Sequence, residues 1–355
     1  MTIQVRFVKQ IDHLIWNEFV KAHPNATPYH HFGWLQSVEQ AYQHKNIGAI
    51  ALEDGRVVGV LPSIEMRRPL LRPFICALPY CDLGFGLAND SAIEDKLLAF
   101  MREHLAHING RSLALRDYIN EPASDTQMEG QKVRMLLPLP SSSDELLSGF
   151  KSKLRSQIRK SEKNGLRYEI HRNGSGLNDF YHIFAINMRK LGSPVHSKKW
   201  FERIFENYKE NSILSVVYSE NVPVGAGITL SSGGVTCIPW ASTVVEYNRL
   251  APNMMLYWSL LKEACDNNMQ CFDFGRSTFN EGTYRFKAQW GAAPQLLNWY
   301  DAASESRQDF SNQENDECEN APQGKIRPMV EKVWAKLPLN VTTTLGPKIR
   351  KHISL

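Results

Sequence analysis

Long hydrophobic runs are absent from this chain. The longest apolar region, 70–88, is broken by Arg72, Pro73, Pro79 and Asp82, so it does not span a bilayer unaided. The opening residues, Met1-Thr2-Ile3-Gln4-Val5-Arg6, hold no apolar signal core. The cysteines (Cys76, Cys81, Cys237, Cys265, Cys271, Cys318) form no Cys-x-x-Cys pair and lie mostly in apolar runs. That spacing argues against zinc and disulfides and for buried free thiols in a reducing compartment. No metal site is expected. An excess of one charge is missing too: the net charge of +4 permits an anionic ligand but does not demand nucleic acid, and DNA is not an expected partner. These absences lead to the expectation of a cytoplasmic protein. If its substrate is lipid-linked, it works at the inner face of the cytoplasmic membrane.

What is present is globular. A hydrophobic content of 43% and a charged content of 22% suit a packed core, and 355 residues are too many for one ordinary domain. Strands and helices alternate, which predicts an α/β fold. Two hairpins stand out. One pairs 47–52 with 57–64 across Glu53-Asp54-Gly55-Arg56, and the other pairs 213–218 with 224–230 across Ser219-Glu220-Asn221-Val222-Pro223. Each half runs helices, hairpin, strand, helix, strand, so the chain reads as two copies of one module. The break between them falls at the prolines and serines of 138–143. The expected organisation is a first domain over 1–140, a second over 141–300, a polar linker over 301–324 and a basic tail over 325–355. In the tail, Ile326, Met329, Val330, Val333 and Trp334 form one apolar side. Docking of that side on the domain is favoured over a place on a membrane surface.

Chemistry concentrates in 272–291, Phe-Asp-Phe-Gly-Arg-Ser-Thr-Phe-Asn-Glu-Gly-Thr-Tyr-Arg-Phe-Lys-Ala-Gln-Trp-Gly. A strand over 270–274 ends in glycine, and a loop then carries Arg276, Ser277, Thr278 and Asn280. A short helical run presents Tyr284, Arg285, Phe286, Lys287 and Trp290. Cations and aromatics at a strand exit suit a site that grips an anion or a carbonyl; the plain alternative is a capped helix with solvated charges. Asp82, in Pro79-Tyr80-Cys81-Asp82-Leu83-Gly84, can orient an amine or take its proton, or simply close an Asx turn. The segment from Lys151 to Gly165 is a basic helix stopped at Asn164-Gly165. Its Arg155 and Arg159, spaced i,i+4, offer forks for phosphate, or else a solvated face. Tyr80, His196, Trp240, Ser242 and Asn253 complete the candidate binding set, with core or turn roles as the alternatives for His196 and Trp240.

The stretch Phe-Asp-Phe-Gly-Arg-Ser-Thr, Gly-Thr-Tyr-Arg-Phe-Lys and Gln-Trp-Gly-Ala resembles the FemAB proteins, in particular the branch associated with exosortase and PEP-CTERM (exopolysaccharide) systems. The resemblance covers roughly 29–299, most of the chain. Its most specific piece is Phe286-Lys287 followed by Trp290-Gly291. It implies two tandem GNAT-like acyltransferase domains. Well-known FemAB members move amino acids from aminoacyl-tRNA onto peptidoglycan precursors. The segment at Pro79–Gly84 is similar to a family motif that implies Asp82 lies near the acceptor. The Lys151–Arg159 element implies an anionic ligand between the domains. Two departures bear on the donor. Residues 246–253, where an acyl-CoA enzyme carries a glycine-rich pyrophosphate loop, hold no glycine, and Pro252 has no amide hydrogen. No heptad run long enough for the FemA coiled-coil arm exists. Aminoacyl-tRNA and an acyl thioester both stay open as the co-substrate, with no tightly bound cofactor.

The expected function is acyl or aminoacyl transfer to an amine of a peptidoglycan or exopolysaccharide precursor. Lys287 stabilises the oxyanion or the donor phosphate, and Asp82 orients the amine. Arg276, Arg155 and Arg159 hold phosphates, while Tyr80, Trp240 and Tyr284 line the groove. The expected partners are an anionic sugar or nucleotide-linked precursor, tRNA and the inner membrane surface. The alternatives are a non-catalytic binder of an anionic sugar precursor and an acyl-CoA-dependent N-acyltransferase.

Overall fold

The computed structural model describes residues 2–304, 308–309 and 326–355. The expected polar linker over 301–324 lies largely outside the described residues, as does Cys318. Most elements stand where the sequence places them. Asp54-Gly55 turns the first hairpin with both residues in the left-handed region (φ 48° and 80°), the geometry that matches strand twist. Asp90 caps the helix Ser91–His107 by accepting from the Ile93 amide at 2.9 Å. Asp12 does not cap its helix through its side chain; its carboxylate is held by Arg6 at 2.7 and 2.9 Å.

The strands form two sheets, a small antiparallel one and a large mixed one. The smaller joins Ile3–Phe7, Ala49–Glu53, Arg56–Leu61 and Leu87–Ala88. The larger begins with four antiparallel strands: Leu166–His171, Ser212–Ser219, Val222–Ser232 and Val235–Thr243. Cys271–Thr278 then runs parallel to Val235–Thr243, but only over the pairs Val235–Cys271, Thr236–Phe272 and Cys237–Asp273. Beyond them, the two strands part. Lys132–Pro138, from the first half, pairs with Cys271–Thr278 on one side and with Ala293–Asp301 on the other. Ala293–Asp301 in turn pairs with Leu113–Tyr118. Strands of the two halves therefore interleave, and the sheet continues across 138–143. The Asp82 loop, through the Gly84–Arg116 bridge, and the Lys287 helix, through Cys271–Thr278, are both anchored to this seam.

Tryptophans and phenylalanines fill the core between the halves. Trp16, Trp34, Trp200 and Trp290 are fully buried. Trp34 stacks on Trp240 at 5.8 Å, and both meet Trp200 edge-on. Such pairs add about 0.5–1.5 kcal/mol each beyond burial. The tail lies on the domain, but not through the expected apolar side: Met329, Val330 and Val333 of that side stay exposed (67, 55 and 54%). Its helices Ile326–Lys336 and Leu339–Arg350 lie against the helix Leu177–Lys190. Gly346 approaches Val195 so closely that a Cβ there would sit 2.9 Å from the Val195 amide nitrogen.

Candidate active site

The strand Cys271–Thr278 is longer than the sequence suggests. Arg276, Ser277 and Thr278, expected in a loop, resume pairing with Arg134, Val133 and Lys132 after a bulge between Asp273 and Arg276. Gly275 makes the bulge with φ 71°, a conformation that a side chain strains. The bulge has a chemical consequence. It turns the carbonyls of Gly275 and Arg276 toward Lys287, whose Nζ donates to them at 3.0 and 2.7 Å. A regular strand would have given such carbonyls to its neighbours.

Lys287 projects from the helix Gly282–Ala288 and is 7% exposed. Phe286, beside it, packs on Tyr257 (5.0 Å) and on Trp290 (6.3 Å), which fixes the helix. Burial lowers the Lys287 pKa to about 8, against the pull of Asp82 and Asp273, and Arg276 adds to the lowering. A buried ammonium with its pKa lowered to about 8, beside the partly exposed Asp82 and Arg276, is a poised group.

Asp82 faces it across the seam. Its carboxylate meets Arg276 Nε at 3.2 Å and accepts from the Arg276 amide at 3.3 Å. Its own carbonyl accepts from the indole of Trp299 at 3.1 Å, and the Arg276 guanidinium lies 5.0 Å over that indole. Three of the expected residues come together here: Lys287 and Arg276, neighbours in the chain, meet Asp82 from its other half.

Two neighbours were missed. Asp273 is buried, accepts from the Gly275 amide at 2.8 Å and lies 3.9 Å from Arg134. Desolvation raises its pKa, against Arg134 and the Gly275 amide. Its carboxylate shapes the bulge. The signal was an acid between Phe272 and Phe274 in an otherwise apolar strand. Arg134, stacked 4.0 Å over Tyr118 and bonded to Gln295, had no signal in the sequence.

Other candidates fall elsewhere. Tyr80 and His196 are buried under the tail rather than lining an open groove. Tyr80 donates from its amide to the Ser354 carbonyl and from its hydroxyl to the Lys351 carbonyl. His196 is held between Tyr42 (2.6 Å) and Arg350 (3.0 Å), and burial keeps its pKa well below the ordinary value. Trp240 is 6% exposed inside the aromatic core. Ser242 accepts from Asn187, exposed Asn253 accepts from Thr243, and Tyr284 packs on Phe279. Arg155 and Arg159 ride on the basic helix Ser152–Lys163, which packs against Pro252–Asp266 and Leu166–His171. Arg155 donates to the Ser148 carbonyl, and Arg159 is exposed. The structure gives them no contact with Lys287.

Among the described residues, no group of His, Cys, Asp and Glu is placed to hold a metal ion, and no helix is long and apolar enough to cross a membrane.

Residues 148–288 match the family model described as acetyltransferase (GNAT) domain. No curated protein matches the sequence. Among solved structures, FemX is similar, with a TM-score of 0.64 and 16% identity over 84% of this chain and 97% of FemX. A tandem GNAT protein from the clavulanic acid biosynthesis pathway is similar at a TM-score of 0.51 and 11% identity, over 85% of this chain and 99% of its own. The fold is of the GNAT type. L-PGS from Bacillus licheniformis also shares it, with a TM-score of 0.50 and 10% identity over 94% of this chain and 99% of that one. Within a GNAT reading, the parting of Val235–Thr243 from Cys271–Thr278 opens the sheet beside the bulge that holds Lys287.

Proposed function

We propose that the chain is an acyl or aminoacyl transferase. It joins an activated acyl group to an amine of a cell-envelope precursor, of the peptidoglycan or exopolysaccharide kind. The observation that carries this reading is the buried Lys287 ammonium, fixed by two carbonyls and facing Asp82 across the seam. An activated ester or thioester needs no covalent nucleophile. Its amide-forming attack needs an oriented amine and a cation near the oxyanion. Asp82 orients the amine and receives its proton, and Lys287 stabilises the charge that develops on the carbonyl oxygen; collapse of that intermediate breaks the acyl–oxygen bond, and the proton passes from Asp82 to the departing hydroxyl of the donor. The similarity to FemX supports the fold of this reading, and the GNAT domain supports its transferase chemistry. A non-catalytic binder of an anionic precursor would need the arginines but not Lys287 or Asp82.

The donor we infer is an aminoacyl ester rather than acyl-CoA. Val245–Leu250 is a 3-10 helix, and its region uses its amides internally: Tyr247 bonds Val244, Ala251 bonds Asn248 and Met254 bonds Ala251. Pro252 opens the next helix and offers no hydrogen. A pyrophosphate finds little there to bind. Calorimetry with acetyl-CoA and a long-chain acyl-CoA is expected to show no binding at micromolar concentration. Micromolar affinity for either would make acyl-CoA the donor.

The basic helix is the proposed contact for the anionic substrate. Changing Arg155 and Arg159 together to alanine should weaken tRNA binding about tenfold and flatten its logarithmic salt slope by about 1–2. A uridine-diphosphate sugar, titrated separately, tests the smaller ligand. Unchanged affinity and slope for both would make this helix a solvated face only.

The experiment that tests the function is transfer itself: a precursor with a primary amine, incubated with charged tRNA, should gain an amide-linked aminoacyl group. The absence of any such product with every aminoacyl-tRNA supplied would remove the aminoacyl reading.

A further inference from the structure

Outside the catalytic seam, one feature of the surface breaks the rule that apolar tips fold inward. The strands Ile64–Met66 and Phe74–Cys76 form a hairpin whose tip is Arg67-Arg68-Pro69-Leu70-Leu71-Arg72-Pro73. Leu70 is fully exposed at 106% and Leu71 is 42% exposed. Leu70 also has φ 63°, the left-handed region that leucine rarely adopts. The Leu71 amide bonds the Arg68 carbonyl at 3.3 Å, so a tight turn holds Leu70 outward. A turn this tight would ordinarily take glycine or asparagine at that position. Exposed leucine in strained backbone serves no packing purpose within the chain.

Cations ring the tip. Arg72 is exposed and braced by the Asn109 carbonyl (2.9 Å), the Asn109 side chain and the Gly110 carbonyl. Arg68 and Arg111 lie over the Phe74 ring at 4.9 and 5.0 Å, which fixes two more guanidinium groups at the base. Arg67 is 73% exposed in its side chain and bridges buried Glu65, the carboxylate that meets this patch. No acidic residue lies between Met66 and Phe74. The docked tail adds to the base: Arg68 donates to the His352 carbonyl at 2.7 Å, and His352 Nδ1 meets the Arg67 carbonyl at 3.1 Å.

We infer that this hairpin is a membrane-docking tip that inserts Leu70 and Leu71 into an anionic bilayer while the surrounding arginines bind lipid phosphates. Two leucines supply a short apolar wedge, too short to cross but enough to enter the headgroup boundary. Arginine lays its stem along an apolar surface and keeps its fork at the phosphates. Neither element binds stably alone, and together they give the two signals that peripheral attachment requires. The anchorage would hold the transferase beside membrane-linked acceptors, but the inference does not depend on the transferase reading.

The full-length protein is tested by flotation with vesicles of phosphatidylcholine alone and with about 30% phosphatidylglycerol added, the anionic fraction serving as the electrostatic probe. The expected result is binding at least about tenfold tighter to the anionic vesicles, weakened in high salt. Leu70→Gln with Leu71→Gln should lower that binding at least about tenfold with melting temperature little changed, because Leu70 lies wholly and Leu71 partly in water. Leu70→Trp should bind at least as tightly as the parent protein. Failure to bind anionic vesicles would overturn the inference. So would equal binding by the double variant, which would place the contact on the basic helix or the tail. A leucine-dependent dimer in sedimentation without vesicle binding would reassign the tip to a second copy of the chain.

Discussion

Lys287→Met is expected to lower turnover about 10²–10³-fold while leaving precursor affinity near that of the parent protein. A fixed cation aimed at an oxyanion in a dry site is worth roughly 3–4 kcal/mol, which corresponds to that factor. The fold should survive. Holding the ammonium at a pKa of about 8 instead of 10.5 costs about 3 kcal/mol of stability below pH 8, a cost that methionine removes. Against it stand two lost hydrogen bonds to the Gly275 and Arg276 carbonyls, of similar total size. The melting temperature should therefore move little. The sign with pH is fixed: the unfolded chain keeps its proton up to about 10.5, so this stability penalty fades as pH rises from about 8 toward 10.5. Activity moves the other way. If the charged form stabilises the oxyanion, kcat falls as pH rises through about 8, and that limb disappears in Lys287→Met. A rise through pH 8 would make Lys287 a base instead. Lys287→Arg should not rescue turnover, because a planar fork cannot reproduce a point charge held by two carbonyls.

Asp82→Asn should have an effect of similar size but a different signature. The carboxylate is placed by the Arg276 side chain and amide, and asparagine keeps the shape while losing the charge and the proton acceptor. Loss of general-base assistance costs typically 10²–10⁴ in rate. We expect a fall of about 10²-fold or more in kcat, with acceptor KM raised where the amine is bound as a cation. The variant should also lower the Lys287 pKa further, since Asp82 is the largest of the charges that hold it up. The basic limb of any residual activity would shift to lower pH. An unaltered limb would show that the two groups are not coupled.

Three residues of the candidate centre, Lys287, Arg276 and Asp82, were singled out in the sequence, the first two for local reasons. Lys287 was found because aromatics at helical spacing fix its helix, leaving one cation at the edge of the packed face. Asp82 was singled out through the FemAB resemblance of Pro79–Gly84, since the residues alone fit an Asx turn as well. Gly275 ended an apolar run and was read as the end of the strand. It is instead a bulge, because pairing resumes with Lys132–Arg134, and a partner strand from the other half of the chain cannot be seen in local periodicity. The same blindness hid Arg134, whose role exists only through that pairing. Tyr80 was read as a groove residue and His196 as a binding residue because their types suit those roles. The tail that covers them arrives from more than 150 residues away, and nothing near His196 announces Arg350 or Ser354. Trp240 went to the core for a general reason: a large aromatic at the junction of two modules is worth more packed than exposed.

The central claim is that a buried lysine and its facing carboxylate join an activated acyl group to an amine. The most direct test supplies the purified protein with a uridine-diphosphate-linked amino-sugar peptide bearing a primary amine and with a full set of aminoacyl-tRNAs. Mass spectrometry then reads the precursor. The account predicts one aminoacyl mass added through a bond that survives hydroxylamine, with the product reduced about 10²-fold or more in Lys287→Met. A precursor of unchanged mass, or the same yield from Lys287→Met, would contradict it.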